Sequence, residues 1–163
     1  MRVCGHRQDG ARLSASIKTQ KASVADLAAE IVARNAVAAA DGGLTVEMLM
    51  GYVEVDPADD SHVLGDLDWS KKRIVVLPES VGDLTVDGGL YLDGNQLELL
   101  PESFGSLTVG GDLYLTGNQL ESLPESFGSL TVGGGDLWLD DNPVAASLSE
   151  NSFPGLTIKL DDY

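Results

Sequence analysis

One unit of about 23 residues recurs through the second half of this chain. The tetrapeptide Leu-Pro-Glu-Ser returns at a spacing of 23 residues, at positions 77–80, 100–103 and 123–126. An apolar–aromatic–apolar tripeptide recurs at positions 90–92, 113–115 and 137–139, with spacings of 23 and then 24 residues, because an extra glycine lies in 133–135. A diverged first copy begins with Leu67-Asp68-Trp69. A fixed period of this length predicts stacked coils, with units near 67–89, 90–112, 113–136 and 137–160.

The best-preserved unit indicates the role of each position. Leu113-Tyr114-Leu115 alternates apolar and variable residues, as a short strand does. Asn118 follows a turn, and its amide both donates and accepts, so we expect it to bond the neighbouring coil's backbone. Its counterparts are Asn95 and Asn142. Leu-Thr-Val after Phe127 predicts a second extended piece with an outward threonine, giving a row of Thr85, Thr108, Thr131 and Thr157.

A single unit cannot bury its own leucines, so the units must stack on one another. The predicted fold is an α/β solenoid with a parallel concave sheet and an N-terminal helical cap. We expect a basic, disordered tail over residues 1–21 and a helical cap over 22–62. Four repeats with a C-terminal closing strand are expected over 63–163.

These motifs resemble those of leucine-rich-repeat proteins over roughly residues 63–160. The pattern LxLxxNxLxxLPxSxGxLTVxGD is similar to the 23-residue LPxSxG type of Ras-linked scaffold proteins and plant intracellular repeat proteins. The resemblance implies a solenoid whose concave sheet binds another protein, as a scaffold, adaptor or regulator.

The chain departs from that type at two places. Where the type has a leucine, this chain has Asp87, Gly110 or Gly133, and a valine precedes each of them. We therefore expect the packing on the convex side to differ from the usual form. Lys72 replaces the turn asparagine of the first unit, so we expect this unit to lie at the edge of the stack without the asparagine's bonds.

The segment before the repeats has helical character. Residues 23–40 are rich in alanine and predict a helix that begins at Ser23, with an apolar face of Val24, Leu27, Ala28 and Ile31. We expect this helix to cap the stack; the alternative is a helix that binds a partner or lies on a membrane. Asp41-Gly42-Gly43 is expected to end it, and Thr45 to Met50 predicts a short second helix.

Three further segments complete this interpretation. Residues 52–55 have the pattern of a strand, and the composition of 56–61 predicts a loop. Leu156-Thr157-Ile158-Lys159-Leu160 resembles the Leu-Thr-Val piece and is expected to close the stack.

Charge is unevenly distributed along the chain. Residues 1–21 carry five basic residues and one acidic residue, a net charge of +4, whereas the other 142 residues carry five basic and 25 acidic residues, a net charge of −20. Such an acidic body repels phosphate backbones, so we expect no nucleic-acid partner and instead a protein or basic peptide. No apolar run is long enough to span a bilayer, so no membrane insertion is expected.

The location of the protein is predicted from two features of the N-terminal segment. Cys4 is the chain's single cysteine and cannot form an internal disulfide, which favours a reducing, cytoplasmic setting. The basic, acid-poor start is also similar to an organelle transit peptide, which is the alternative location. A boundary of a fragment would produce the same pattern.

Outward residues of the strands form the predicted binding surface. The central column is Asp68, Tyr91, Tyr114 and Trp138, and carboxylates flank it. Large rings on a rigid surface favour protein binding, and the carboxylates favour a basic partner. The alternative is that the rings only stack for stability. The predicted partner-binding residues are Asp68, Tyr91, Asp93, Asp112, Tyr114, Thr116, Asp136, Trp138 and Asp140.

The sequence contains no nucleophile–base–acid set, no phosphate-binding loop and no cysteine pair for zinc. We therefore expect no enzyme activity, no cofactor and no metal. A calcium site at Asp93, Asp140 and Asp141 is a weaker alternative, because their spacing matches no calcium loop. The pattern is also compatible with a structural subunit of a larger assembly, with a fragment of a multidomain repeat-containing enzyme or receptor, and with a carbohydrate binder.

Overall fold

The computed structural model of the protein describes residues 22–35, 44–51, 53–149 and 152–160. In these residues the chain forms two α-helices, α1 (Val24–Asn35) and α2 (Val46–Met50). They precede ten short strands: β1 (Val55–Asp56), β2 (Asp59–Val63), β3 (Leu67–Asp68), β4 (Thr85–Val86), β5 (Leu90–Tyr91), β6 (Thr108–Val109), β7 (Leu113–Tyr114), β8 (Thr131–Val132), β9 (Asp136–Trp138) and β10 (Thr157–Lys159). None of the helices in this part of the chain is long and apolar enough to cross a membrane.

The strands form two five-stranded sheets on opposite sides of an apolar core. The first sheet has the order β1-β2-β4-β6-β8, and the second has the order β10-β9-β7-β5-β3. Every neighbouring pair is parallel except β1 and β2, which form an antiparallel hairpin. Each coil contributes one strand to each sheet, so the predicted α/β solenoid with a parallel sheet is confirmed.

Buried asparagines join each coil to the one before it. The Asn118 carboxamide accepts a hydrogen bond from the Leu97 N–H (3.2 Å) and donates to the carbonyls of Leu92 and Leu115, both at 2.9 Å. Asn95 and Asn142 each make the corresponding bonds, to their own coil and to the preceding one. The predicted role of these side chains is therefore confirmed, and each satisfies backbone groups that face no strand partner.

Phenylalanines and 3-10 helices line the side of the stack opposite the second sheet. The helices Glu79–Asp83, Glu102–Ser106 and Glu125–Ser129 follow the three Leu-Pro pairs. Phe104 and Phe127 are fully buried and stack on each other, with ring centroids 6.1 Å apart. A Cβ at Gly105 would lie 2.1 Å from the Ser126 carbonyl oxygen, so only glycine permits this approach between coils.

The convex side departs from the usual form in the way we expected. Val86 and Val109 are buried. In the usual form, the buried residue is a leucine one position later, where this chain has Asp87 and Gly110. At that later position, a Cβ on Gly110 would lie 2.2 Å from the Asp87 carbonyl oxygen. The coils therefore lie too close for a leucine there, and the valines fill the core instead.

The two helices lie against the first coil. The apolar face of α1 is fully buried as predicted, and the Ser23 hydroxyl accepts a hydrogen bond from the Asp26 N–H at 3.0 Å. Asn35, at the end of α1, accepts from the N–H groups of Val75 (2.7 Å) and Val76 (3.1 Å). The predicted short second helix is confirmed as α2, which Thr45 caps. The remainder of the first predicted helix, with Asp41-Gly42-Gly43, and the predicted tail over 1–21 lie outside the described residues.

The loop predicted over residues 56–61 is wrong. Strand β2 begins at Asp59, and the β1–β2 hairpin turns through Pro57 and Ala58. The Asp56 carboxylate accepts from the Ala58 N–H at 2.8 Å, which explains why turn-forming residues occur here. Strand β2 also pairs with β4 and so supplies the backbone hydrogen-bond partner for the first repeat strand of the first sheet. The strand predicted over 52–55 begins only at Val55.

The prediction for residues 156–160 is corrected as well. Strand β10 pairs with β9, so it belongs to the sheet of the apolar–aromatic–apolar tripeptides and not to that of the Leu-Thr-Val pieces. Thr157 therefore stands beside Asp136, and the row of threonines is headed by His62 instead. The alternation Ile158-Lys159-Leu160 is the pattern of the second sheet, because Ile158 is buried and in register with Leu137.

The first repeat unit lies at the edge of the second sheet, as the replacement of its asparagine by Lys72 predicted. The link to the preceding segment is made by Trp69, whose fully buried indole N–H donates to the Leu49 carbonyl at 2.9 Å. The Lys72 N–H donates a hydrogen bond to Asn95 Oδ1 of the next unit at 3.0 Å. A single tryptophan thus joins the first coil to α2.

Asn118→Ala tests the asparagine bonds. We expect the free energy of unfolding to fall by about 2 kcal/mol, because the buried Leu97 N–H loses its acceptor. The carbonyls of Leu92 and Leu115 each lose one of two amide donors and keep the one from Asn95 or Asn142. Urea denaturation followed by circular dichroism measures this change. The neighbouring Gln119 is exposed, so Gln119→Ala serves as the control, with an expected change below about 0.5 kcal/mol. Equal losses in the two variants would contradict this role.

His62, in strand β2 of the first sheet, lies between two carboxylates. Its Nε2 is 2.6 Å from Asp87 Oδ1, and its Nδ1 is 3.4 Å from Asp56 Oδ2. The hydrogen bond to Asp87 raises the pKa of His62 above its usual value, against a lowering by burial, and the charges of Asp87, Asp56 and Asp59 add to the rise. The folded protein therefore favours the protonated imidazole.

This pKa rise predicts a pH-dependent stability. The stabilisation by His62 is fully present below the pKa of the unfolded state, about 6.5, and is lost as the pH rises through the higher folded-state pKa. We expect the difference in unfolding free energy between the unmodified chain and His62→Gln to shrink over that interval. NMR titration of the imidazole should show a lower pKa in Asp87→Asn. An unchanged pKa in that variant would contradict the assigned cause.

Candidate functional site

The outward residues of the second sheet form one continuous column. Strand register places Asp68 beside Tyr91, Tyr91 beside Tyr114, and Tyr114 beside Trp138. This is the order that the repeat spacing predicted. The register adds a fifth member that the sequence interpretation missed, because Trp138 is paired with Lys159 of β10. The column therefore runs from a carboxylate through three rings to an ammonium group.

The three rings are stacked face to face. Tyr91 and Tyr114 have centroids 4.8 Å apart and planes inclined by 5°, and Tyr114 and Trp138 have centroids 6.0 Å apart and planes inclined by 7°. The first distance equals the usual spacing of neighbouring strands. All three residues are half-buried. Each ring covers its neighbour's face, and the rings present mainly their edges to a partner.

Carboxylates surround Tyr91 in particular. Burial raises the pKa of Tyr91 above its usual value, and four negative charges add to the rise, those of Asp66, Asp112, Asp68 and Asp93. Burial likewise raises the pKa of Tyr114, with further contributions from Asp112 and Asp136. The fold thus concentrates several of the predicted acidic residues around two phenol groups.

Several of these acidic side chains are also held by the chain itself. Asp66 Oδ1 accepts from the Gly89 N–H at 2.7 Å, and Asp112 Oδ1 accepts from the Asp136 N–H at 3.3 Å. The Thr116 hydroxyl donates to Asp140 Oδ1 at 2.8 Å. These bonds cross from one coil to the next, so they fix the orientation of the carboxylates before any partner arrives.

The far end of the column differs in character. Lys159 Nζ lies 3.8 Å from Asp136 Oδ1 and offsets part of the negative charge there. Within the described residues, the Trp138 indole N–H is buried without a hydrogen-bond acceptor. At the β3–β5 end, four carboxylates act on Tyr91, and the charges of Lys72 and Lys71 act on Asp68.

A family model matches two of the repeats that form this surface. The model for the leucine-rich repeat matches residues 89–107 and 112–130, which include β5, β7 and the two 3-10 helices between Pro101 and Ser129. The chain therefore contains leucine-rich repeats. The assignment to the 23-residue LPxSxG type stays a prediction. No curated protein matches the chain.

Leucine-rich-repeat proteins are typically interaction modules without enzyme activity, and their repeats generally mediate protein–protein contacts. In this chain, the described residues contain no group of three or more His, Cys, Asp or Glu side chains arranged to hold a metal ion. Asp93 and Asp140 lie in the row that follows the aromatic column, with Thr116 between them. The binding role of all nine predicted residues stays a prediction.

The carboxylates around the phenol groups predict an altered tyrosine titration. We expect Tyr91 and Tyr114 to ionise above the usual tyrosine pKa of about 10. In Asp112→Asn, both pKa values should fall towards that value, because one negative charge is lost. NMR titration of the tyrosine Cζ signals measures them. Glu125→Gln removes a charge from the opposite side and serves as control; an equal fall there would contradict the local origin.

Proposed function

We propose that this protein binds a basic segment of a partner protein on the surface formed by the second sheet, acting as a scaffold, adaptor or regulator. The observation that carries the proposal is the placement of carboxylates beside Tyr91: strand register sets Asp68 next to it, and hydrogen bonds between coils orient Asp66 and Asp112. A partner with arginine or lysine side chains would relieve this concentration of like charge.

The charge of the whole chain supports the same kind of partner. The net charge is −16, and the basic residues are concentrated before residue 22. Long-range attraction would raise the rate at which a basic segment meets this surface, and the fixed carboxylates would then hold it. Binding of this kind weakens as salt increases, because exposed charges are screened.

The aromatic stack would contribute shape to the binding surface. Three stacked rings present a rigid row of edges and two tyrosine hydroxyl groups, and little entropy is lost when such a row is covered. The carbohydrate alternative gains no support from this arrangement. A sugar ring stacks on an open aromatic face, whereas Tyr114 has a neighbouring ring on each face.

Binding to fluorescein-labelled octa-arginine tests the proposal. The full chain should bind this peptide at about 50 mM salt but should not bind the matched octa-citrulline, which lacks charge. A surface variant with Asp93→Asn, Asp112→Asn and Asp136→Asn should weaken the affinity about tenfold. Asparagine retains the size and the accepting oxygen of aspartate, so the coil-to-coil bonds remain possible.

A matched variant separates local contacts from total charge. Glu102→Gln, Glu121→Gln and Glu125→Gln also remove three negative charges, from exposed positions away from the second sheet. We expect this variant to weaken binding less than about threefold. Equal weakening in the two variants would contradict a specific surface. Unchanged affinity in Tyr114→Ala with Trp138→Ala would show that the rings take no part.

A further inference from the structure

A groove opens between helix α2 and the first strand of the second sheet. Its volume is about 350 Å³, and its lining combines apolar and acidic side chains: Glu47, Met48, Leu49, Gly51, Val53, Asp66, Asp68 and Lys72. Asp68 stands directly beside Tyr91 in the strand register. The groove is therefore continuous with the acidic, aromatic surface of the second sheet and lies at its β3 edge.

The floor of the groove is apolar and held firmly. Leu49 is buried, and its carbonyl accepts the Trp69 indole hydrogen bond at 2.9 Å, which attaches α2 to the first coil. Met48 is 48% exposed, one of four large apolar side chains that stand out from the described surface. A flexible, polarisable methionine at such a place adapts to the aliphatic part of an incoming side chain.

The acidic wall of the groove is oriented in advance. Asp68 Oδ1 accepts from the Ser70 N–H (2.9 Å) and the Ser70 hydroxyl (2.6 Å). Asp66 Oδ1 accepts from the Gly89 N–H, and Glu47 adds a third carboxylate. In each aspartate these bonds hold Oδ1, so the second carboxylate oxygen stays free of them. Burial raises the pKa of Asp68, but the bonds from Ser70 and the charges of Lys72 and Lys71 outweigh it and lower that pKa, so the two lysines offset part of the negative charge of this wall.

We propose that this groove receives one arginine side chain of the partner segment, with the aliphatic stem over Met48 and the guanidinium group against Asp66 and Asp68. The inference rests on the proposed function, because the groove is one end of the same surface. Arginine fits better than lysine, since its planar guanidinium binds carboxylates in pairs and is more weakly hydrated beside an apolar floor. The groove would set the position at which the partner begins to follow the aromatic column.

The test uses an eight-residue peptide of glycine and serine that contains a single arginine. The full chain is observed by two NMR spectra. The Met48 ε-methyl signal reports the groove, and the Trp138 indole N–H signal reports the far end of the column. Addition of the peptide should shift the Met48 signal and leave the Trp138 signal in place. The same peptide with citrulline should shift neither signal, and a lysine peptide should bind more weakly than the arginine peptide.

Two variants assign the effect to the acidic wall. Asp66→Asn with Asp68→Asn should weaken binding of the single-arginine peptide about fivefold, as expected for the loss of well-oriented ion pairs. Glu121→Gln with Glu125→Gln removes the same charge elsewhere and should leave this affinity within about twofold. Equal weakening by both pairs of substitutions would overturn the proposal.

A different occupant of the groove would give a different result. If Arg2→Gln, Arg7→Gln and Arg12→Gln shift the Met48 signal without peptide, the chain's own N-terminal segment occupies the groove, and the proposal is overturned. A Met48 signal that changes with protein concentration alone would assign the groove to a second copy and overturn it equally. If octa-arginine binds but the single-arginine peptide leaves Met48 unchanged, the groove proposal fails while the proposed function stands. If neither peptide binds, both fail.

Discussion

Buried asparagines hold the coils of this protein together, and the rest of the structure depends on the geometry that they impose. A coil of about 23 residues contains only two short strands, so many of its backbone groups have no strand partner. Asn118 satisfies three of them at once and links two successive coils, because a carboxamide both donates and accepts. This repeated bond sets the stacking distance between coils, and the stacking distance in turn brings identical positions of successive units together.

The aromatic column and the acidic frame follow from that stacking distance. Rings placed at the same position of successive coils stand one strand spacing apart, which is suitable for face-to-face stacking, and Tyr91 and Tyr114 adopt this arrangement. Aspartates in the flanking rows are brought together in the same way, although like charges repel. Hydrogen bonds from the next coil to Asp66 and Asp112 offset part of that cost and fix the carboxylates. The proposed binding surface is therefore a direct product of the repeat.

Prediction from the sequence succeeded where the period was intact and failed where it was lost. The column through Tyr91, Tyr114 and Trp138 required only the assumption that equivalent residues become neighbours. Strand β10 was assigned to the wrong sheet because the last unit has diverged, and Lys159 was consequently missed. Strand β2 was missed because its aspartates and serine have the composition of a loop, whereas its pairing with β4 outweighs that preference. Asn35 was missed because no repeat position corresponds to it.

The repeat, the stacking of units, the role of the asparagines and the order of residues along the column could all be derived from the amino-acid sequence. These features depend on spacing and on residue chemistry, and both can be read from one chain. The folded structure was needed to establish how the rings face one another, which carboxylates gather around Tyr91, and that α2 and the first strand enclose a groove beside Asp68. Such features depend on distances between side chains that do not occupy equivalent positions of the repeat. Packing between non-equivalent segments sets those distances.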